Sequence, residues 1–370
     1  MSKSADILIL GGGVIGLSVA CELGRRGASV TVLDAAAPGR ASTAAAGMLA
    51  PLAEAAAPGP FLEFALESLR RYPDFVAHLS ELSGQKLRIC GPGMLRVART
   101  EDEEATLCRA FAWQSSLGLP LHRLSGAEVR RLEPAAATNI QAALLSPHER
   151  HIEPRQLLSA LNEGCRRQEV EIVTAKVTGV QTKSGHALAV STAQGRHSFG
   201  TLVLAGGAWS RGLGQYFGLP LPVTPLRGQI LALGPQSPAP ISHTLYTHGA
   251  YLVPRADGRI VVGATEEWAG FDAETTDDGI AGLRADAARL VPTLAGWPLH
   301  SAWAGLRSVS ADGLPLLGRA PGWDNVQVAT GHGRNGILMA PLTGALMADA
   351  LLHNASLPTA FDPARFRGAE

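Results

Sequence analysis

Three glycines in the pattern Gly11-x-Gly13-x-x-Gly16, followed by a carboxylate at Asp34, are the first residues in the chain whose types and spacing suit chemistry. A triplet of this kind binds the pyrophosphate of a dinucleotide. The first glycine permits a tight turn, the second lets the backbone approach the phosphates, and the third lets a helix pack closely on a strand. Val14 and Ile15 open that helix and bring free N–H donors and partial positive charge to the same phosphates. Asp34, about twenty residues beyond the turn and followed by Ala35, suits hydrogen bonds from ribose hydroxyls. NAD and FAD both satisfy this fingerprint, so it leaves the choice between them open.

To work, the triplet must stand between a strand and a helix, and its flanks supply both. Residues 5–10 form an apolar strand, 14–26 repeat apolar residues at Val14, Leu17, Cys21 and Gly24 on a helical period, and 29–33 alternate as a second strand. The first 34 residues thus spell one βαβ unit. An Ala/Gly/Pro loop over 35–60 leads to a helix over 61–82, strands within 84–97, and helices over 101–117, 125–132 and 154–168. Strands are expected over 170–182, 187–192 and 200–205. From 223 to 262, strands at 227–233, 250–254 and 259–262 are separated by Pro and Gly turns, the pattern of an antiparallel sheet. Near Val309 the chain is expected to rejoin the first unit, ending in a strand over 326–329 and a helix bearing Met339, Leu342, Leu346, Asp349 and Leu352. Pro341 is awkward inside a helix, so regular turns are expected to begin only near it.

At 370 residues the chain is long enough for two domains that each bury a core. Its apolar fraction is 46%, and the apolar runs are short and interrupted by Gly, Pro or charge, so no membrane-spanning helix and no membrane partner are expected. MSKSAD passes directly into the apolar residues 7–10 without the features of a secretory signal, which makes a cytoplasmic location the default expectation. Thirty-two basic and 32 acidic residues cancel, which argues against nucleic acid as a partner. Cys21, Cys90, Cys108 and Cys165 are scattered, with neither a C-x-x-C pair nor a nearby histidine. No metal site is expected, and the thiols read as reduced and mostly buried.

Residues 40–49 read RASTAAAGML, 201–212 read TLVLAGGAWSRG, and 331–341 read GHGRNGILMAP. Together with the opening fingerprint they resemble the FAD-dependent D-amino-acid oxidase superfamily, which includes glycine oxidase and sarcosine oxidase. The likeness spans nearly the whole chain and is strongest at 5–50 and 300–345. It implies an α/β fold in which an FAD-binding, Rossmann-like βαβ domain (1–84, 145–215 and 308–370) carries an inserted substrate domain on an antiparallel sheet (85–144 and 216–307). It further implies Ser42 and Thr43 near the pyrophosphate, Gly47, Met48 and Leu49 along the flavin ring, and Val177 meeting the adenine through its backbone. Gly206 and Trp209 join the same cofactor wall. The glycine-rich run assigns His332, Gly333, Arg334, Asn335, Gly336, Ile337 and Leu338 to the flavin, where backbone amides at a helix end would stabilise developing negative charge.

Oxidising an α-amino acid requires a cation for the carboxylate, a place for the amine, and the Cα–H aimed at the flavin. A guanidinium suits the first because its fork binds a carboxylate bidentately. Arg307, in AWAGLRS ahead of DGLPLLGR, matches the family's carboxylate-binding arginine. Arg334 matches a position lining the active site, and Tyr251, in GAYLVPR before GRIVVGAT, resembles the active-site tyrosine. The family pattern can place a histidine two residues before that tyrosine. Gly249 stands there in this chain, which leaves His248 as the nearby candidate.

The chemistry implied is hydride transfer from Cα to flavin N5 with the substrate amine neutral, giving an imino acid that hydrolyses, with dioxygen reoxidising the flavin to yield hydrogen peroxide. Glycine is the leading substrate, with sarcosine and small D-amino acids secondary, and supply of glycine imine to thiamine's thiazole ring is the implied cellular task. Monomeric sarcosine oxidases attach FAD through a cysteine in the C-terminal half; here the last cysteine is Cys165, so FAD is expected to be noncovalent. A homo-oligomer, a tetramer, is also implied. Two readings compete: a dehydrogenase of the same superfamily that passes electrons to a quinone or partner protein, and a flavin-carrying subunit without turnover.

Overall fold

The computed structural model describes residues 4–236 and 238–367. Strands Ser4–Leu10 and Val30–Asp34 are buried through residues 7–10 and 30–33, as strands covered on both faces must be. They pair in parallel, with Ile7 opposite Val30 and Leu10 opposite Leu33, and helix Val14–Arg25 forms the crossover. Strand Glu171–Thr174 extends this sheet beyond Val30–Asp34, while Gly195–Leu204 and then Val326–Thr330 extend it beyond Ser4–Leu10, all in parallel. Leu316–Arg319 closes that edge in the antiparallel sense.

The apolar pattern over 170–182 suggests one strand, but the structure makes two. Glu171–Thr174 pairs with Val30–Asp34, and Ala175 continues that ladder by donating its N–H to the Asp34 carbonyl. Val177–Lys183 then turns into a hairpin with His186–Thr192. Residue type reports the strand habit on both sides of residue 176 and carries no sign of the change of partner.

The second sheet has nine strands. Their order is His332–Gly333, Leu299–Ser310, Val223–Leu233, Ile260–Gly263, Tyr251–Pro254, Thr244–Tyr246, Met94–Ala98, Ala142–Ser146, His122–Ser125. Neighbours are antiparallel except Thr244–Tyr246 beside Met94–Ala98. The longest pairing, Val223–Leu233 with Leu299–Ser310, sets Gly228 opposite Gly305 and Leu226 opposite Arg307. His332–Gly333 attaches at the end of Leu299–Ser310, which ties the glycine-rich segment to the second sheet just before it enters the last helix.

That helix, Gly336–His353, begins five residues before Pro341 and passes through it, against the expectation of a later start. Proline has no N–H for the carbonyl four residues earlier, which is that of Ile337. The Tyr72 hydroxyl, on helix Pro60–Ser83, donates to the Ile337 carbonyl instead, and Ser68 Oγ accepts from the Leu342 amide at 3.3 Å. A tertiary bond thus repairs what propensity alone would break. The helix is also long and apolar enough to cross a membrane by composition, a match that the short, interrupted apolar runs do not announce. It packs against Val14–Arg25 and Pro60–Ser83, and its residues 337–344 are buried there. All four cysteines are free thiols. Cys21 and Cys165 are buried, whereas Cys90 and Cys108 are only half-buried, so half of the set departs from the burial expected.

Candidate active site between the two sheets

A cavity of about 650 Å³ opens where the parallel strands end and the second sheet begins. Its floor is the glycine turn. Gly11 has φ +121°, and a Cβ there would lie 2.2 Å from the Ala205 carbonyl oxygen; at Gly16 a Cβ would lie 1.9 Å from the Gly11 oxygen. Side chains are therefore excluded at both, the close packing that the triplet's spacing predicts. Gly13, the N-cap of helix Val14–Arg25, offers no side chain to its first amides, and the Val14 amide donates to Ser42 Oγ at 3.0 Å. Asp34, at the end of its strand, pairs with Arg40 at 2.5 Å and accepts from the Ala36 amide at 3.1 Å.

Most residues expected around the cofactor line this cavity. Gly11, Gly13, Val14, Ile15, Asp34 and Ala35 surround the turn, with Ser42, Gly47 and Met48 on the loop above. Val177, Gly206 and Trp209 form one wall, and the segment 332–337 forms another. Two bonds pin the Ala-rich loop to the second sheet: Trp303 Nε1 donates to the Ala44 carbonyl at 2.9 Å, and Arg255 donates to the Ala46 carbonyl at 2.7 Å. Four expected residues stand elsewhere. Gly16 packs beneath the turn, and the Thr43 hydroxyl donates to the Arg40 carbonyl at 3.0 Å. Leu49 and Leu338 are buried in the core behind Met48 and Ile337.

Arg307 lines the far part of the cavity with its guanidinium flat over Gly228, where a Cβ would lie 2.4 Å from Nη2. Its Nη1 donates to the carbonyls of Thr265, at 3.0 Å, and Arg227, at 3.4 Å. Burial lowers its pKa from the usual arginine value, yet guanidinium stays charged in proteins. Tyr251 is buried nearby, and burial raises the pKa of its phenol, so it remains a donor. Arg334 is bound on both sides, by Glu54 to Nε and Glu266 to Nη1, each at 2.9 Å. Burial opposes its charge, but Glu54, Tyr246 and Glu266 outweigh it and hold the pKa above the ordinary value.

His248 does not face this cavity. Thr247 and Ala250 close a tight turn by mutual hydrogen bonds, which leaves 248 and 249 exposed on a smaller cavity of about 280 Å³ whose inner wall is Tyr251 and Arg334. His332 lines the main cavity, but its Nε2 lies 3.2 Å from Thr343 Oγ1 and burial pushes its pKa down to about 3. It is neutral in ordinary buffers. Glu54 is the residue that the sequence reading passed over: its side chain is 7% exposed, it lines the main cavity, and burial raises its pKa against the opposing pull of Arg334. One signal was available, since Arg40 and Glu54 are the only charges between residues 35 and 60.

The residues present fit FAD. A pyrophosphate suits the open amides at the helix start, Asp34 suits a ribose, and the predominantly apolar walls between Met48 and Ile337 suit a flat ring. The family model described as FAD dependent oxidoreductase matches residues 6–350. The glycine oxidase of Bacillus licheniformis is 34% identical over 356 residues, covering 96% of this chain and 95% of its own. The bifunctional protein ThiO/ThiG of Synechocystis sp. is 37% identical over 375 residues, covering 99% of this chain but 55% of the relative, so the chain spans about half of that protein's length. Among solved structures, the glycine oxidase of Geobacillus kaustophilus superposes with a TM-score of 0.92 at 32% identity, covering 99% of this chain and 98% of its own. Cavity and comparisons converge on one assignment: this chain belongs to the FAD dependent oxidoreductase family, and FAD is its cofactor.

Proposed function

We propose that the protein oxidises glycine to its imine, with sarcosine and small D-amino acids as secondary substrates. The observation that carries this reading is Arg307, a half-buried cation whose hydrogen bonds among the described residues go to backbone carbonyls on the wall of the flavin cavity. Among the described residues no carboxylate lies in ion-pair contact with this guanidinium, and the carboxylate of an amino acid supplies one bidentately. Tyr251 stands beside it with a hydroxyl that has no protein partner among the described residues, and that hydroxyl donates to the same carboxylate. The names of the relatives that match end to end support glycine as the amino acid.

FAD, when bound, would supply the oxidising chemistry, serving as the acceptor of the Cα hydride with dioxygen as the final oxidant and hydrogen peroxide as its product. The chain's own part is orientation and electrostatics. Arg307 and Tyr251 fix the carboxylate, and the apolar walls exclude water from the reacting carbon. No side-chain base for carbon is required, because the hydrogen leaves with its electrons. The imine then hydrolyses to glyoxylate and ammonia, or is delivered to thiamine's thiazole ring, the role implied by the likeness to thiamine-type oxidases. None of the four cysteines lines the cavity among the described residues, in keeping with noncovalent FAD.

The test is an anaerobic screen in which glycine, sarcosine and D-alanine are added to the holoenzyme while the flavin absorbance is followed. Glycine should bleach it most readily, and admitting air should restore the colour and yield peroxide. A flavin that none of the three bleaches would overturn the proposal, and one that bleaches but reoxidises slowly in air would replace the oxidase with a dehydrogenase.

A further inference from the structure

Glu54 ends a four-residue helix, Pro51–Glu54, in the middle of an Ala-rich segment. A single turn of helix does not hold itself together in water. Three buried polar side chains hold it here. Glu149 Oε1 accepts from the amides of Leu52, at 2.5 Å, and Ala53, at 3.1 Å. Arg96 Nη1 and Gln114 Nε2 both donate to the Leu52 carbonyl, at 3.1 and 2.8 Å. Glu149, Arg96 and Gln114 are 1%, 6% and 0% exposed, and none of them lines the cavity.

Burying a carboxylate and a guanidinium is costly unless the geometry is well satisfied. The common effect of these three is to fix the backbone that delivers Glu54. That side chain is itself a buried carboxylate, held at 2.9 Å by Arg334 and turned to the cavity. Arg334 is in turn shared with Glu266 on the other side, so it does not claim Glu54 outright.

The charges on the cavity wall divide by partner. Asp34 is occupied by Arg40 beside the glycine turn, where the dinucleotide belongs. Arg307 has no carboxylate in ion-pair contact among the described residues, and the one other carboxylate lining the cavity among them is Glu54. A zwitterionic amino acid carries one charge of each sign about one bond either side of its Cα. Its carboxylate has Arg307, and its ammonium needs an anion within the same enclosure.

We propose that Glu54 is the amine-binding residue of this site, receiving the substrate's ammonium group and taking one of its protons so that the amine is neutral when the Cα hydrogen leaves, while Arg307 holds the carboxylate, and that Arg334 serves to orient Glu54. This rests on the amino-acid oxidase reading and deepens it. The two contacts together fix both ends of the substrate and leave only rotation about one axis to aim the Cα–H at the ring. They also select α-amino acids over simple carboxylic acids, which satisfy Arg307 and leave Glu54 with Arg334 as its partner.

Bleaching of the unsubstituted holoenzyme by glycine, established first, tests the oxidase reading on its own. The inference is then tested with Glu54→Gln, comparing KM for glycine with Kd for acetate, which is glycine without its amine, read from the flavin spectrum. The expected result is a KM for glycine raised about tenfold or more, the size of a lost charge-assisted bond, with the acetate Kd unchanged. Losses of equal size for both ligands would show Glu54 to be structural only, and no change in either would remove it from the site; both outcomes overturn the proposal. Should Glu54→Gln fail to retain FAD, Glu54→Asp keeps the charge at shorter reach. It is expected to weaken glycine alone, and equal loss of glycine and acetate again overturns the inference.

Discussion

The Tyr72 hydroxyl donates to the Ile337 carbonyl at 2.5 Å and so takes the place of the amide that Pro341 lacks. Tyr72 is fully buried, and burial raises its pKa, so the phenol stays a donor at every pH of practical use. Because Gly336 and Ile337 line the cavity, the bond secures the entry of the last helix at the cavity wall.

Tyr72→Phe keeps the ring and leaves a buried carbonyl without a partner. The expected cost is about 1–3 kcal/mol of stability, together with weaker FAD retention. Urea denaturation of the holoenzyme and apoenzyme measures both. An unchanged midpoint in both forms would show that the helix tolerates Pro341 without help.

Arg307 and Gly228 make a paired prediction. Arg307→Ala removes the carboxylate anchor, and binding of acetate should weaken by roughly 2–5 kcal/mol. Gly228→Ala leaves the arginine in the chain but places a Cβ where the guanidinium lies, 2.4 Å from Nη2 and 2.6 Å from Cζ. Gly228 does not have a left-handed φ, so the backbone accepts alanine and FAD should stay bound. Acetate affinity should fall in both variants, further in Arg307→Ala. Retained affinity in Arg307→Ala would move the anchor to another residue.

Asp34→Ala should loosen FAD without reordering the preferred substrates, because Asp34 meets the glycine turn and Arg40 rather than Arg307. Ultrafiltration of the purified protein reads the loss directly. A changed order of substrates with FAD fully retained contradicts the ribose role.

The parts of the site legible in the sequence are those that local chain geometry dictates. Gly11, Gly13 and Gly16 act through backbone space within one turn and helix, so their spacing suffices. Leu49 and Leu338 show where a motif's edge misleads. Side chains alternate along a strand and step around a helix, so Met48 and Ile337 meet the cavity while their neighbours enter the core. Glu54 and the early start of the last helix depend on bonds from Glu149, Arg96, Gln114 and Tyr72, all more than 40 residues away in sequence. No periodicity encodes such bonds.

Two of the buried histidines contribute to the response to acid. Burial pushes His332 down to about 3 and, with the Arg255 charge adding to it, His151 down to about 4, from an ordinary 6.5. The unfolded chain binds protons at both residues below about pH 6.5, while the folded chain declines them until near 4 and 3. Their contribution is therefore complete above pH 6.5 and is lost as pH falls from there, at up to about 1.4 kcal/mol per unit for each site. Glu54 and Glu149 act in the opposite sense, because burial raises both and the folded state takes up their protons first. The clean measurement is consequently a difference. Urea midpoints taken between pH 7 and 5 should fall less steeply for His332→Asn than for the unsubstituted protein, since the variant no longer has that group to protonate on unfolding. Parallel slopes would mean that His332 already exchanges protons in the folded state, and that its ring is not sealed against Thr343.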